Sequence, residues 1–301
     1  MAGYSDPMFT LDVYLQEQAQ FVEAELDRHL PRAETRPHRL HEAMRYSVFA
    51  GGKRLRPILA LAAAEAIGGD REDVALPAAA IEILHTYTLV HDDLPCMDDD
   101  DLRRGKPTVH AAYDEATAVL VGDALLTLAF EWMAECPAPP PYTPNRLVLE
   151  LARAAGSQGV IGGQIEDLAA EGKHIPEEAL LQIHSKKTGA LIKASVRIGV
   201  MAAGGRPEAL DALTMYGGDI GLAFQIVDDI LDATSDTATL GKTAGSDARA
   251  AKSTYVSLHG LEEARTRAEN LIDNAVLQLA HLHGNTAPLE AIARHILDRK
   301  H

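Results

Sequence analysis

The chain reads as all-α. Alanine and leucine dominate, and the valine/isoleucine alternation that marks strands is scarce. Apolar residues recur with a period of about 3.6 throughout. Glycine and proline fall where helices of ordinary length would end or begin.

A first helix is expected from Thr10 to Leu30, with Pro31 and Pro37 bracketing its end. A second runs from His38 to Phe49 and stops at Gly51-Gly52. Pro57 sits where a helix begins, and that helix ends at Gly68-Gly69. The next spans Val74 to Asp93, with Pro95 helping to stop it. Another covers Tyr113 to Ala134. The stretch from Cys136 to Pro144 holds five prolines and reads as a stiff exposed loop. Helical patterning resumes at once without a change of composition, so residues 1–301 are read as one domain. Helices follow at Arg146 to Glu171, Pro176 to Ala203, Pro207 to Thr234 and from Leu261 to the C-terminus.

With 301 residues, 47% of them hydrophobic, the chain can bury a large core. A formal net charge of −16 argues against nucleic acid and anionic membranes as partners. Two cysteines, Cys96 and Cys136, make no disulfide framework and fit a cytoplasmic location. Met1 to Thr10 carries no secretory signal pattern, and no uninterrupted apolar run reaches the roughly 20 residues that span a bilayer.

Two acidic clusters carry most of the functional information. The first is His91-Asp92-Asp93-Leu94-Pro95-Cys96-Met97-Asp98, running on through Asp101. It closes an apolar helix, where carboxylates face the negative end of the helix dipole and require a positive partner. A bend at Leu94-Pro95 can bring Asp92 and Asp98 to one cation, in the open oxygen site that Mg²⁺ prefers. Asp99, Asp100 and Asp101 read equally well as a solvated loop. In the second cluster, Gln225, Asp228, Asp229 and Asp232 stand on one helical stripe, and a cation would relieve their mutual repulsion. Cationic elements alternate with these acids. Gly51-Gly52-Lys53-Arg54-Leu55-Arg56-Pro57 places three cations in a glycine turn opening a helix, an anion-binding arrangement. Leu102-Arg103-Arg104-Gly105 follows the first acidic run, and Lys186-Lys187-Thr188-Gly189 lies within a later helix. His91 reads as a structural or supporting residue.

Together with Gly162-Gly163-Gln164 and Phe224-Gln225-Ile226-Val227-Asp228-Asp229-Ile230-Leu231-Asp232, these elements occur in the order seen in trans-isoprenyl diphosphate synthases. The chain resembles short-chain bacterial members of that family from about residue 40 to 260. The resemblance implies a helical bundle around a central active-site cavity, usually as a homodimer. It implies Mg²⁺, three ions with Mn²⁺ as an alternative, held by Asp92, Asp98 and Asp228, with Asp93, Asp229 and Asp232 as further ligands or water-mediated partners. Arg103, Lys187, Lys242 and Lys252 would grip an allylic diphosphate, with Thr188 and Gln225 facing the allylic cation as dipoles. Isopentenyl diphosphate would bind without metal at Gly52, Lys53, Arg56, His85 and Arg104. Tyr87 and Thr88 would floor the chain pocket. An aromatic Tyr87 fits a C15 (farnesyl) diphosphate product, while Cys96 keeps a C20 product open. A terpene cyclase, a non-catalytic partner subunit and a plain cation-binding helical protein are the rival readings. The second set of basic elements speaks against the cyclase, the two intact acidic clusters against the subunit, and the basic elements together against a plain cation binder.

Overall fold

The computed structural model describes residues 9–234 and 253–299. Numbered within them, the helices are α1 (Leu11–His29), α2 (His38–Val48), α3 (Leu55–Glu65), α4 (Ala75–Asp92), the single turn α5 (Val109–Ala112), α6 (Glu115–Glu135), α7 (Pro144–Ala155), α8 (Val160–Ala170), α9 (Glu177–His184), α10 (Ala190–Ala202), α11 (Pro207–Thr234), α12 (Tyr255–His259), α13 (Leu261–Gln278) and α14 (Ala287–Leu297). All-α is therefore the observed class.

The chemistry of the helix ends explains most boundaries. Asp114 accepts from the Thr117 amide and so starts α6, the N-cap role for which short polar side chains are suited. Thr254 and Ser257 form a reciprocal capping box at α12. Pro144 opens α7 at a position where its missing N–H costs nothing.

Several expected helices are broken. Arg146 to Glu171 divides into α7 and α8 around Gly156 and Gly159. Pro176 to Ala203 is interrupted by a π-helical turn, Ser185–Gly189, between α9 and α10. Leu261 onward breaks after a short 3-10 turn at Leu279–His281. The segment from Leu102 to Pro107 forms a two-stranded hairpin, β1 (Leu102–Arg103) with β2 (Lys106–Pro107). Arg104 and Gly105 at its tip both have positive φ, 54° and 75°, as a type I′ turn requires.

In the core, α10 packs against α3 and α11, α4 lies along α6, and α13 lies along α11. Alanines at 60, 62, 63 and 64 of α3 and at 78, 79 and 80 of α4 are fully buried; their small side chains let the helix axes approach. Tyr216 is also fully buried, and its hydroxyl donates to the Leu289 carbonyl at 2.7 Å, tying α11 to α14. Residues 72–92 and 115–135 are apolar enough by length and composition to cross a membrane, although polar residues interrupt both runs. In the first of them, 72% of the most apolar window is buried inside the bundle, the mark of a core helix.

Candidate active site

The first acidic cluster closes on itself. The Asp98 amide donates to the Asp92 carbonyl at 2.8 Å, and Met97 to the Leu94 carbonyl at 2.8 Å. The loop thus returns Asp98 to the last turn of α4, as the Leu94-Pro95 bend predicts. Burial pushes the Asp92 carboxyl up to about 6; Asp98 and Asp93 add to the rise, and Lys187 and Arg103 oppose it. Asp93 has another task. It is buried and accepts from Arg103 Nε at 2.6 Å, and so fixes that cation. Asp99, Asp100 and Asp101 are exposed.

The second cluster is divided in the same way. Asp228 accepts from Gln225 Nε2 at 3.5 Å and from Arg299 Nη1 at 2.9 Å. The Arg299 guanidinium also stacks on Phe224, 4.0 Å from the ring centroid. Asp229 is buried; its Oδ2 accepts from the Tyr255 amide at 2.7 Å and lies 3.3 Å from His184 Nε2. Through Oδ2 it ties α11 to α9 and α12. Asp232 Oδ1 is buried without a hydrogen-bond partner.

The basic elements converge on the same region. Lys53 is held below the usual lysine range by burial and by Arg299, with Asp228 opposing. Arg56 is pushed down to about 10 by burial, with Glu82 and Asp228 opposing. Its Nη1 lies 3.1 Å from His85 Nε2. Burial first, then four surrounding arginines, hold His85 well below the ordinary histidine value, so it stays neutral and presents a lone pair to Arg56. The hairpin tip swings Arg104 onto the Gly51 carbonyl and against Gly52, where any Cβ would overlap the guanidinium. Arg54 leaves the group: it is buried at φ 51°, away from solvent, with Glu82.

The π-helical turn presents Lys187 and Thr188. Lys187 Nζ pairs with Asp167 Oδ2 at 2.8 Å, and Thr188 Oγ1 donates to Gln225 Oε1. Gln225 therefore links Thr188 to Asp228 through one amide. α8 approaches this turn so closely that a Cβ on Gly163 would collide with the Lys187 backbone, while one on Gly162 would meet the Ser157 carbonyl. Next to Gly163, Gln164 is buried with both amide atoms unpartnered. Tyr87 and Thr88 are buried in α4; the Tyr87 ring meets the His91 ring edge-on with centroids 5.6 Å apart. Lys242 and Lys252 lie outside the described residues.

Sequence reasoning missed Glu82, Asp167, His184 and Arg299 as partners of the site. Of these, Glu82 alone left a legible signal, an acid in the apolar middle of a helix.

Among the described residues, no three histidine, cysteine or acidic side chains gather into a ready-made cage. Carboxylates on two separate elements and an orphaned Asp232 oxygen suit Mg²⁺, which is held by few protein oxygens and completes its shell with water or phosphate. The residues fit the ion.

A family model described as polyprenyl synthetase matches residues 37–284. Farnesyl diphosphate synthase of Escherichia coli (strain K12) is 51% identical over 264 residues, covering 86% of this chain and 88% of that protein. The chloroplastic geranylgeranyl pyrophosphate synthase of Capsicum annuum is 45% identical over 303 residues, covering 99% and 81%. Among solved structures, the apo FPP/GFPP synthase from Zymomonas mobilis superposes with a TM-score of 0.84 at 42% identity, covering 95% of this chain and 98% of that one.

Proposed function

The chain belongs to the polyprenyl synthetase family and is a trans-prenyltransferase acting on diphosphate substrates, and from that premise we propose that it joins isopentenyl diphosphate to dimethylallyl and then geranyl diphosphate, ending at the C15 farnesyl diphosphate. The observation that carries the two-substrate reading is the pairing of a carboxylate group (Asp92, Asp98, Asp228) with a separate cationic group (Lys53, Arg56, Arg104) around neutral His85. Each group fits one diphosphate: the first through metal, the second by direct charge-assisted hydrogen bonds.

In this reading Asp92, Asp98, Asp228 and Asp232 hold Mg²⁺. When bound, the ion would supply positive charge to offset that of the departing allylic diphosphate. Arg103, fixed by Asp93, and Lys187, fixed by Asp167, hold the leaving group from the protein side. Lys242 and Lys252 belong to the same proposed grip. The C–O bond breaks and both its electrons leave with diphosphate. Gln225, with Thr188 on one side and Asp228 on the other, turns a fixed dipole toward the allylic cation; such preorganised dipoles need no rearrangement as charge develops. The isopentenyl double bond supplies the electrons of the new C–C bond. The proton then lost passes to the departing diphosphate, so no protein base is required.

Identity to the Escherichia coli enzyme and aromatic Tyr87 support C15. Val119 and Leu120 on α6 are 41% and 58% exposed, apolar side chains that a second copy of the chain would cover; this supports a homodimer. The two free thiols support a cytoplasmic location.

The test is diphosphate release from geranyl diphosphate with Mg²⁺. Release that depends on added isopentenyl diphosphate supports condensation. Equal release without it, with a cyclic hydrocarbon product, would replace the reading by a cyclase.

A further inference from the structure

Glu82 is the one acid buried within α4, at 2% exposure. It sits where a lone carboxylate costs several kcal/mol unless paired. Its partner is Arg54, also 2% exposed, whose Nη1 donates to Glu82 Oε1 at 2.7 Å. Arg54 Nη2 donates to the Val48 carbonyl at 2.7 Å and reaches Glu23 Oε1 at 3.4 Å. One guanidinium therefore ties α1, the end of α2 and α4 together. Its backbone is left-handed, φ 51°, a conformation that a residue with a side chain adopts only when its surroundings impose it. Lys53 precedes it and Arg56 follows two residues later.

We propose that the buried Arg54–Glu82 pair is a positioning device for the isopentenyl diphosphate site, fixing the turn from which Lys53 and Arg56 reach the substrate. Glu82 is also the buried negative charge that opposes the effect of burial on Arg56 and Arg104. The inference rests on the reading of Lys53, Arg56 and Arg104 as diphosphate ligands.

The experiment is steady-state kinetics of the full chain with Mg²⁺, varying isopentenyl and geranyl diphosphates in turn, for Glu82→Gln and Arg54→Lys. Both variants are expected to raise KM for isopentenyl diphosphate about tenfold and to leave KM for geranyl diphosphate within about twofold. The sign discriminates. If Glu82 were only a nearby anion, neutralising it would tighten diphosphate binding, so an unchanged or lower KM in Glu82→Gln overturns the proposal. An equal rise in both KM values, with a lowered thermal midpoint, overturns it too, since that is general loss of packing. If Glu82→Gln does not fold, Glu82→Asp keeps the charge, shortens the reach and is judged on the same split. Lys53→Ala separates the two levels. If it leaves KM for isopentenyl diphosphate unchanged, the site reading itself fails. If it raises KM while the Arg54 and Glu82 variants do not, only the positioning role fails.

Discussion

The Asp98 amide donates to the Asp92 carbonyl at 2.8 Å, and that bond returns the loop after α4 to the helix end. The bond belongs to the backbone, so the side chains stay available. Asp92→Asn should therefore leave the fold intact and lower kcat by about 10²–10³-fold. Asp99→Asn, on an exposed neighbour, should change kcat by less than about threefold. Steady-state rates with Mg²⁺ check both, and equal losses would mean that the loop as a whole holds the ion.

A pH dependence follows from His85. Its folded value lies well below 6.5 because burial and the arginines around it disfavour the charged ring. Below about 6.5 the unfolded chain takes up a proton that the folded site refuses. Stability is thus full above that pH and is lost as pH falls below it. Urea unfolding at pH 7.5 and 5.5 should show a decline in the wild type, about 1 kcal/mol of which disappears in His85→Gln. An identical pH slope in the two proteins would show that the ring accepts its proton in the folded state.

The helices were legible because α3 and α4 are apolar and alanine-rich runs, because the buried residues of α11 recur at helical spacing, and because glycine and proline stand near their ends. The breaks were not. The π-helical turn at Ser185–Gly189 leaves no mark in residue choice, since one extra residue per turn shifts faces without needing a special side chain. The acidic stripe of α11 was legible as a stripe, but spacing says which residues share a face, not what meets them. The stripe marks Asp229 as a ligand or water-mediated partner, and the Tyr255 amide that engages its Oδ2 comes from 26 residues onward, beyond the reach of spacing. The partner of Asp93 was hidden in the same way, because Arg103 is brought to its Oδ1 by a hairpin that two positive-φ residues close.

Gly163 is the tightest steric test of the Lys187 site. Gly163→Ala must push α8 away from the π-helical turn. A loss of about 1–3 kcal/mol in stability is expected, with KM for the allylic diphosphate rising more than KM for isopentenyl diphosphate. Thermal unfolding and kinetics check it; an unperturbed allylic KM would separate Lys187 from substrate binding.

Tyr87 lies five residues, about one and a half turns, behind Asp92 in α4, its ring edge-on to His91. Tyr87→Ala should lengthen the product, with C20 diphosphate appearing beside or in place of C15. An unchanged product would remove Tyr87 from the pocket floor.

The reading as a whole turns on one incubation: the purified chain with isopentenyl and dimethylallyl diphosphates and Mg²⁺, the products dephosphorylated and separated by chromatography. A dominant C15 alcohol is the predicted result; a dominant C20 alcohol, or no chain longer than the starting C5, would contradict it.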